Sequence, residues 1–177
     1  MKKNILIYGL ISGLIVSALM AINLGMCYNS GTFDSSILMG YASMLIAFSM
    51  IFVGIKNYRD KYNGGVISFG KAFKVGLFIT LTASTIYVIV WLIEEKLFFP
   101  DFMDKYTAHE ISKLQSSGVS ATKLASEMKD LEQAKEWYKN PVLKILMTYV
   151  EILPVGLLVS LICSFILKRK AVNPQVA

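Results

Sequence analysis

The chain has 177 residues, of which 55% are hydrophobic and only 17% are charged, with a formal net charge of +6. A soluble domain of this size has fewer apolar residues and about 25% charged ones. The composition therefore excludes an ordinary soluble domain and predicts a membrane protein.

Four apolar runs follow one another along the chain, at 4–26, 36–55, 72–93 and 142–167. Each is close to the ~20 residues that an α-helix needs to cross ~30 Å of hydrocarbon. The first run is too long for a cleavable signal, whose apolar stretch has about 7–15 residues, so we predict an anchor. The expected fold is an all-α polytopic membrane protein, a four-helix bundle in a single membrane domain at 1–170, with a cytoplasmic tail at 171–177.

Basic residues flank these runs unevenly. The segment Tyr28–Ser35 between the first two helices has no Lys or Arg, whereas the flanks at the other ends hold ten bases and one acid, Asp60. The positive-inside rule then places both termini and the Lys56–Lys74 loop in the cytoplasm, as for a bacterial inner-membrane protein. Because the bases serve as orientation signals, we expect the lipid bilayer as a partner and no nucleic acid. The ten bases are Lys2, Lys3, Lys56, Arg59, Lys61, Lys71, Lys74, Lys168, Arg169 and Lys170.

Small residues recur at every fourth position in three of the four runs. This spacing keeps them on one helical face, and small faces let transmembrane helices approach closely. Two interpretations remain open: packing of helices within one chain, and a face for a homo-oligomer. The predicted packing positions are Gly9, Gly13, Ser17, Ala21, Gly25, Gly76, Gly156 and Ser160.

A polar segment at 101–139 separates the third and fourth runs and has apolar residues at helical spacing on either side of Ser116-Ser117-Gly118. It predicts an extracytoplasmic helical hairpin that lies on the membrane surface or covers the outer mouth of the bundle. Asn140 and Pro141 suit the N-cap and the first position of the last helix. Four aromatic residues fit a belt at the membrane interface, namely Phe98, Phe99, Trp137 and Tyr138.

Glu151 lies inside the fourth run, where a charged side chain costs roughly 2.5–3.5 kcal/mol on insertion scales. At 1.5 Å per residue it lies about 25 Å from Lys168 along its helix, in the outer half of the bilayer. The same arithmetic brings Asn23, Tyr41 and Trp91 to a similar depth, one from each of the other helices. These four residues form a candidate intramembrane polar site.

The role of Glu151 has three interpretations. It is a hydrogen-bonding post that fixes the bundle, a proton or cation site, or a shallow residue that water solvates. Pro154 lacks an N–H and crowds the carbonyl of Val150, which predicts a helix kink one turn from the carboxylate. Burial would also favour a neutral carboxyl group.

Sequence motifs for enzymes are scarce. The sequence has no His-Glu-x-x-His and no Gly-x-Ser-x-Gly, so we predict no catalytic residues and no enzyme activity. His109 is the only histidine and has no cysteine beside it, so no metal site and no cofactor are expected. Cys27 and Cys163 are predicted at opposite ends of the membrane, too far apart for a disulfide.

Three segments are similar to an uncharacterised bacterial membrane family, the domain of unknown function 4199. The resemblance covers roughly 1–170 and implies a four-helix inner-membrane protein. The family has no established activity, so it implies no site residues. The segments that carry the resemblance are Phe52-Val53-Gly54-Ile55-Lys56-Asn57-Tyr58-Arg59, Gly64-Gly65-x-Ile67-Ser68-Phe69-Gly70-Lys71-Ala72-Phe73-Lys74-Val75-Gly76 and Glu151-x-x-Pro154-x-Gly156-Leu157-x-x-Ser160-Leu161-Ile162.

The sequence as a whole favours a non-enzymatic membrane scaffold that binds a protein partner or forms a homo-oligomer. The alternative is a small proton- or cation-coupled transporter that uses Glu151.

Overall fold

The computed structural model describes residues 1–31, 33 and 36–170, so the predicted tail at 171–177 lies outside the described residues. Nearly all of the described chain is helical. A π-helical turn, Tyr58–Tyr62, follows α2, and within the described ranges the only β pairing is an isolated bridge between Ile67 and Arg169. The helices are α1 (Lys2–Ser30), α2 (Ser36–Asn57), α3 (Phe69–Phe98), α4 (Phe102–Ser116), α5 (Ala121–Lys139) and α6 (Pro141–Leu167).

Four of these helices are long and apolar enough to cross a membrane, which confirms the prediction of four helices of membrane-spanning length and composition. They extend beyond the apolar runs because local caps set their ends. α1 continues to Ser30 and stops at Gly31, whose φ of 70° is the left-handed conformation that glycine adopts readily. α3 begins at Phe69 because the Ser68 hydroxyl accepts a hydrogen bond from the Lys71 N–H. The predicted Asn140 cap and Pro141 start of α6 are confirmed.

Packing joins the four long helices through a common core. α1 contacts α2 and α3, and α6 contacts the same two helices from another side. α4 packs on α5, and α5 contacts α6. The centre of the core is filled by large side chains with no exposed surface, among them Phe48, Ile51, Ile55, Ile79 and Ile152.

Glycines mark the closest helix approaches within the chain. A methyl group on Gly9 would lie 2.6 Å from Thr82 Cβ, and one on Gly13 would lie 2.8 Å from Ile86. Gly156 is equally close to Thr80, so α1 and α6 both approach α3 across glycines. This spacing brings the Thr80 hydroxyl 3.0 Å from that of Ser160, in a hydrogen bond between α3 and α6.

The other predicted packing positions differ in their surroundings. Gly76 faces Ser160 across the α3–α6 contact, and Ser17 is buried. Ala21 is half-buried, and a methyl group added to Gly25 would have no neighbouring atom within 4 Å. The small-residue face of α1 therefore packs tightly at Gly9 and Gly13 and is open at Gly25.

The α2–α3 connection ties down the end of α6. Ile67 and Arg169 exchange two backbone hydrogen bonds of 3.0 and 2.8 Å, and the Arg59 guanidinium donates to the Leu167 carbonyl at 3.3 Å. At the same end, Asn4 of α1 donates to Asn57 of α2 at 3.1 Å. The helix ends that carry the flanking bases thus lie together, and we call this the basic end.

Candidate functional site

A cavity of about 530 Å³ lies between the helices toward the end opposite the basic end. All six helices contribute to its lining. α1, α2, α3 and α6 contribute residues from the half of each helix that lies away from the basic end, and α4 and α5 cover the space beyond them. We call this space the Glu151 cavity.

All four residues of the candidate polar site line this cavity. Trp91 and Asn23 are largely buried in its wall, with 5% and 9% of their surfaces exposed, whereas Tyr41 is 48% exposed. Asn23 Oδ1 accepts a weak hydrogen bond from the Cys27 thiol, 3.9 Å away in the same helix. The four residues that were predicted at a similar depth in four helices therefore line one cavity in the structure.

Glu151 is the one carboxylate among the described residues that line the cavity. Its side chain is accessible and accepts no hydrogen bond from any residue that the structure describes. Tyr106 of α4 and Tyr138 of α5 both lie close enough for an electrostatic interaction with the Glu151 carboxylate. α6 remains helical through Pro154, which cannot donate to the Val150 carbonyl one turn earlier.

Tyr138 connects the cavity wall to α3. Its hydroxyl accepts a hydrogen bond from the Trp91 indole N–H, and the Trp91 ring stands edge-on to Phe102 at 5.0 Å. Burial raises the pKa of the Tyr138 phenol, and the nearby negative charges of Glu95 and Glu151 raise it further, against the Trp91 hydrogen bond. Tyr138 therefore stays protonated and uncharged at neutral pH.

An ion pair between Lys144 and Glu95 lies beside Tyr138 at the edge of the cavity wall. Lys144 Nζ lies 2.7 Å from Glu95 Oε1, and these side chains are only 14% and 17% exposed. The same ammonium lies 4.7 Å from the centre of the Tyr138 ring. Lys144 is thus engaged outside the cavity, where it joins α6 to α3 and supports Tyr138.

Several cavity residues were missed by the sequence reasoning. Tyr87 lies one turn before Trp91 on α3, and this four-residue spacing is a signal that could have revealed it. Phe102 and Tyr106 come from α4, whose placement over the long helices leaves no periodic signal in the sequence. Tyr138, predicted for an interfacial belt, lines the cavity, whereas Phe98 and Trp137 are exposed.

Three serines precede a lysine by three residues, a spacing that also occurs in serine–lysine hydrolases, and one of them, Ser126, is exposed in the middle of α5. Here Ser68 and Ser120 each accept a hydrogen bond from the backbone N–H of that lysine and cap a helix. The Lys71 ammonium instead donates to Asn63 at 2.6 Å. Within the described ranges, no three His, Cys, Asp or Glu side chains are close enough to share a metal ion.

Comparison with protein-family models identifies the family of the chain. Residues 7–169 match the family described as "Protein of unknown function (DUF4199)". The chain belongs to this family. The match includes all four long helices as well as α4 and α5, and it confirms the resemblance seen in the sequence. No curated protein and no solved structure matches the chain significantly.

Proposed function

We propose that this protein is a non-enzymatic membrane protein that binds a small molecule in the Glu151 cavity as a step in proton- or cation-coupled transport. The observation that carries the proposal is a carboxylate with no hydrogen-bond partner among the described residues, in a cavity of about 530 Å³. Ligand sites in proteins have similar volumes, about 300–1,000 Å³. An ionisable residue at membrane depth is costly, which supports a functional role.

The packing beneath the cavity also supports transport. Phe48, Ile51 and Ile152 are fully buried between the cavity and the basic end, so a ligand in the cavity has no open route through the core. A binding space that packed side chains close toward one end of the bundle corresponds to one state of an alternating-access cycle. Movement of α6 about Pro154 would provide a route, because this turn lacks one backbone hydrogen bond.

The proposed orientation places the basic end in the cytoplasm of a bacterial inner-membrane protein. The ten flanking bases lie at helix ends that Ile67–Arg169 and Asn4–Asn57 hold together. α4 and α5 lie toward the opposite end, where they would form the extracytoplasmic hairpin over the cavity. The cavity would then face the outer half of the membrane.

The test is ion flux into proteoliposomes that contain the purified full chain. We expect a proton or cation flux that falls at least tenfold in Glu151→Gln and is retained in Glu132→Gln, which removes an exposed carboxylate from α5. Glu151→Asp keeps the charge and should retain part of the flux. Equal flux in wild type and Glu151→Gln would refute the proposal, as would a wild type with no flux under any ion gradient.

A scaffold function is the second candidate, and the surface of α5 favours it. No residue of α5 is buried, and its exposed face carries charges of both signs, including Lys129 and Glu132. Such a face would bind a soluble domain of a protein partner. Crosslinking in mild detergent distinguishes the two functions: a scaffold loses its partner when the α5 charges are reversed and keeps it in Glu151→Gln.

A further inference from the structure

We propose that the Glu151 cavity binds an organic ammonium ion, a positively charged amine or quaternary ammonium on an apolar body. This inference rests on the proposed binding function and names the class of ligand. It is carried by the charge of the lining, by its aromatic rings and by its apolar surface.

The charge of the lining selects a cation. Glu151 is the only Asp or Glu among the described lining residues, and none of them is Lys, Arg or His. The nearby Lys144 is paired with Glu95 outside the cavity. An anionic ligand would meet no positive side chain among the described lining residues, and a neutral ligand would not offset the cost of ionising Glu151 in a largely apolar cavity. A ligand cation supplies a counter-ion and so favours the ionised carboxylate.

Aromatic rings favour an organic ammonium over other cations. Six rings from four helices line the space, and ring faces attract cations, with quaternary ammonium groups recognised by cages of such rings. Trp91 and Tyr138 are fixed to each other by a hydrogen bond, so part of this wall is preformed. The six rings belong to Tyr41, Tyr87, Trp91, Phe102, Tyr106 and Tyr138.

The rest of the lining suits an apolar body. Met20, Met44, Met103 and Met147 come from four different helices, and flexible thioether side chains adapt to irregular apolar shapes. A divalent metal ion such as Ca²⁺ is a poor match, because it takes 6–8 oxygen ligands with carboxylates among them, and the described lining residues offer a single carboxylate in about 530 Å³. The lining thus fits a bulky cation that is weakly hydrated and therefore loses little hydration on binding.

The same chemistry occurs in two sources, a soluble amine and the headgroup of an ammonium-bearing lipid. Both place a positive nitrogen on an apolar body, and both would meet the same carboxylate and rings. The experiment therefore uses one defined probe and varies the lipid.

The probe is benzyltrimethylammonium, and its control is the uncharged analogue in which carbon replaces nitrogen. Binding is measured by calorimetry on the full chain in nanodiscs of phosphatidylglycerol. We expect saturable binding of the probe and at least tenfold weaker binding of the analogue. Glu151→Gln should weaken probe binding at least tenfold, whereas Glu132→Gln should not. Since both variants face the same lipid, the comparison removes the general attraction of cations to an anionic membrane.

A second variant covers the case in which Glu151→Gln does not fold. Tyr41 is half-exposed and makes no hydrogen bond to any described residue, so Tyr41→Leu should fold normally. It removes one ring face and should weaken probe binding several-fold while leaving the analogue unchanged. Equal binding of probe and analogue, or binding that is unaffected by both substitutions, would overturn the inference.

Replacing part of the phosphatidylglycerol with phosphatidylethanolamine distinguishes the sources. The comparison membrane has the same phosphatidylglycerol content and an uncharged glycolipid in place of phosphatidylethanolamine, so that both membranes attract cations equally. Weaker probe binding with phosphatidylethanolamine than with the glycolipid assigns the ammonium to a lipid headgroup, and equal binding assigns it to a soluble amine. Both results support the ammonium site. Probe binding without flux would refute transport alone, whereas flux with no probe binding would refute the ammonium ligand alone.

Discussion

Single residues set how closely α1 and α6 approach α3. Gly156 lies against Thr80 and Phe48, and Gly9 lies against Thr82. In a membrane, where lipid tails compete for apolar surfaces, such close contacts and the hydrogen bonds they permit stabilise helix association. The hydrogen bond from the Thr80 hydroxyl to the Gly156 carbonyl, at 3.2 Å, and the hydrogen bond between the Thr80 and Ser160 hydroxyls both depend on that approach.

Gly156→Ala should destabilise the protein, because the added methyl group would overlap Thr80 and Phe48 Cζ. Overpacking of this kind costs roughly 1–3 kcal/mol. We expect a lower midpoint of thermal unfolding, followed by tryptophan fluorescence in detergent.

Gly25→Ala is the matched control, because Gly25 also lies in a membrane helix but its added methyl group would have no neighbouring atom within 4 Å. Alanine favours a helix over glycine by roughly 0.5–1 kcal/mol, so this variant should be as stable as wild type or slightly more so. Equal destabilisation by both substitutions would contradict a packing role specific to Gly156.

Helix geometry explains which features of the cavity could be predicted from the sequence alone. A fixed rise per residue gives the depth of Asn23, Tyr41, Trp91 and Glu151 without knowledge of the fold. The rise says nothing about which side of a helix faces a neighbour. The Tyr138–Trp91 hydrogen bond was therefore out of reach, because it depends on how α5 folds back over α3.

At the scale of elements, one attachment of α4 to the long helices is a set of polar and aromatic contacts near the end of α1. The Tyr28 hydroxyl donates to Asp101 at 3.2 Å, and the Tyr28 ring packs against Phe99 at 4.7 Å. Lys105 forms an ion pair with Asp101 at 2.8 Å and lies over the same ring. Asp101 thus joins the start of α4 to α1.

This attachment should weaken in acid. The hydrogen bond from Lys105 holds the pKa of the Asp101 carboxyl below its usual range, and the bond from Tyr28 acts in the same direction. A lowered pKa means that the contribution of Asp101 is present above the unfolded value of about 3.9 and is lost as pH falls through the folded value. Trp91 fluorescence in a Trp137→Phe background should report the change, since Trp91 contacts Phe102 next to Asp101.

Asp101→Asn isolates this group from other carboxylates that titrate in acid, including Asp104, which pairs with Lys135 of α5. Asparagine can still accept from Tyr28 but has no charge for Lys105. We expect the variant to lack the acid-dependent component of the Trp91 signal. An acid transition identical to that of wild type would show that Asp101 does not control the attachment.

The boundaries of the elements illustrate a second limit of sequence reasoning. Apolar runs located the four spans because each must cover the hydrocarbon, but they underestimated α3 at both ends. The ends lie in the polar zone, where Ser68 starts the helix and residues up to Phe98 continue it. In that zone the amino-acid composition no longer indicates where a helix ends, and the capping residues determine the ends.

At the scale of the whole molecule, the two ends are built differently. The basic end is tied by backbone pairing of Ile67 with Arg169 and by Arg59 on the end of α6. The other end encloses the Glu151 cavity beneath α4 and α5. The segment from Gly64 to Gly76, part of the family resemblance, includes Ile67 of this closure. Because the cavity lies toward one end of the bundle, its function depends on which end faces the cytoplasm.

Thiol labelling in intact cells would determine that orientation. In a background with Cys27→Ala and Cys163→Ala, we introduce Gln115→Cys at the end of α4 or Tyr62→Cys at the basic end, both at exposed positions. Because the flanking bases favour the cytoplasmic side, a membrane-impermeant maleimide should label position 115 and leave position 62 unlabelled until the cells are opened. The opposite pattern would place the cavity on the cytoplasmic side, and any ligand would then enter it from within the cell.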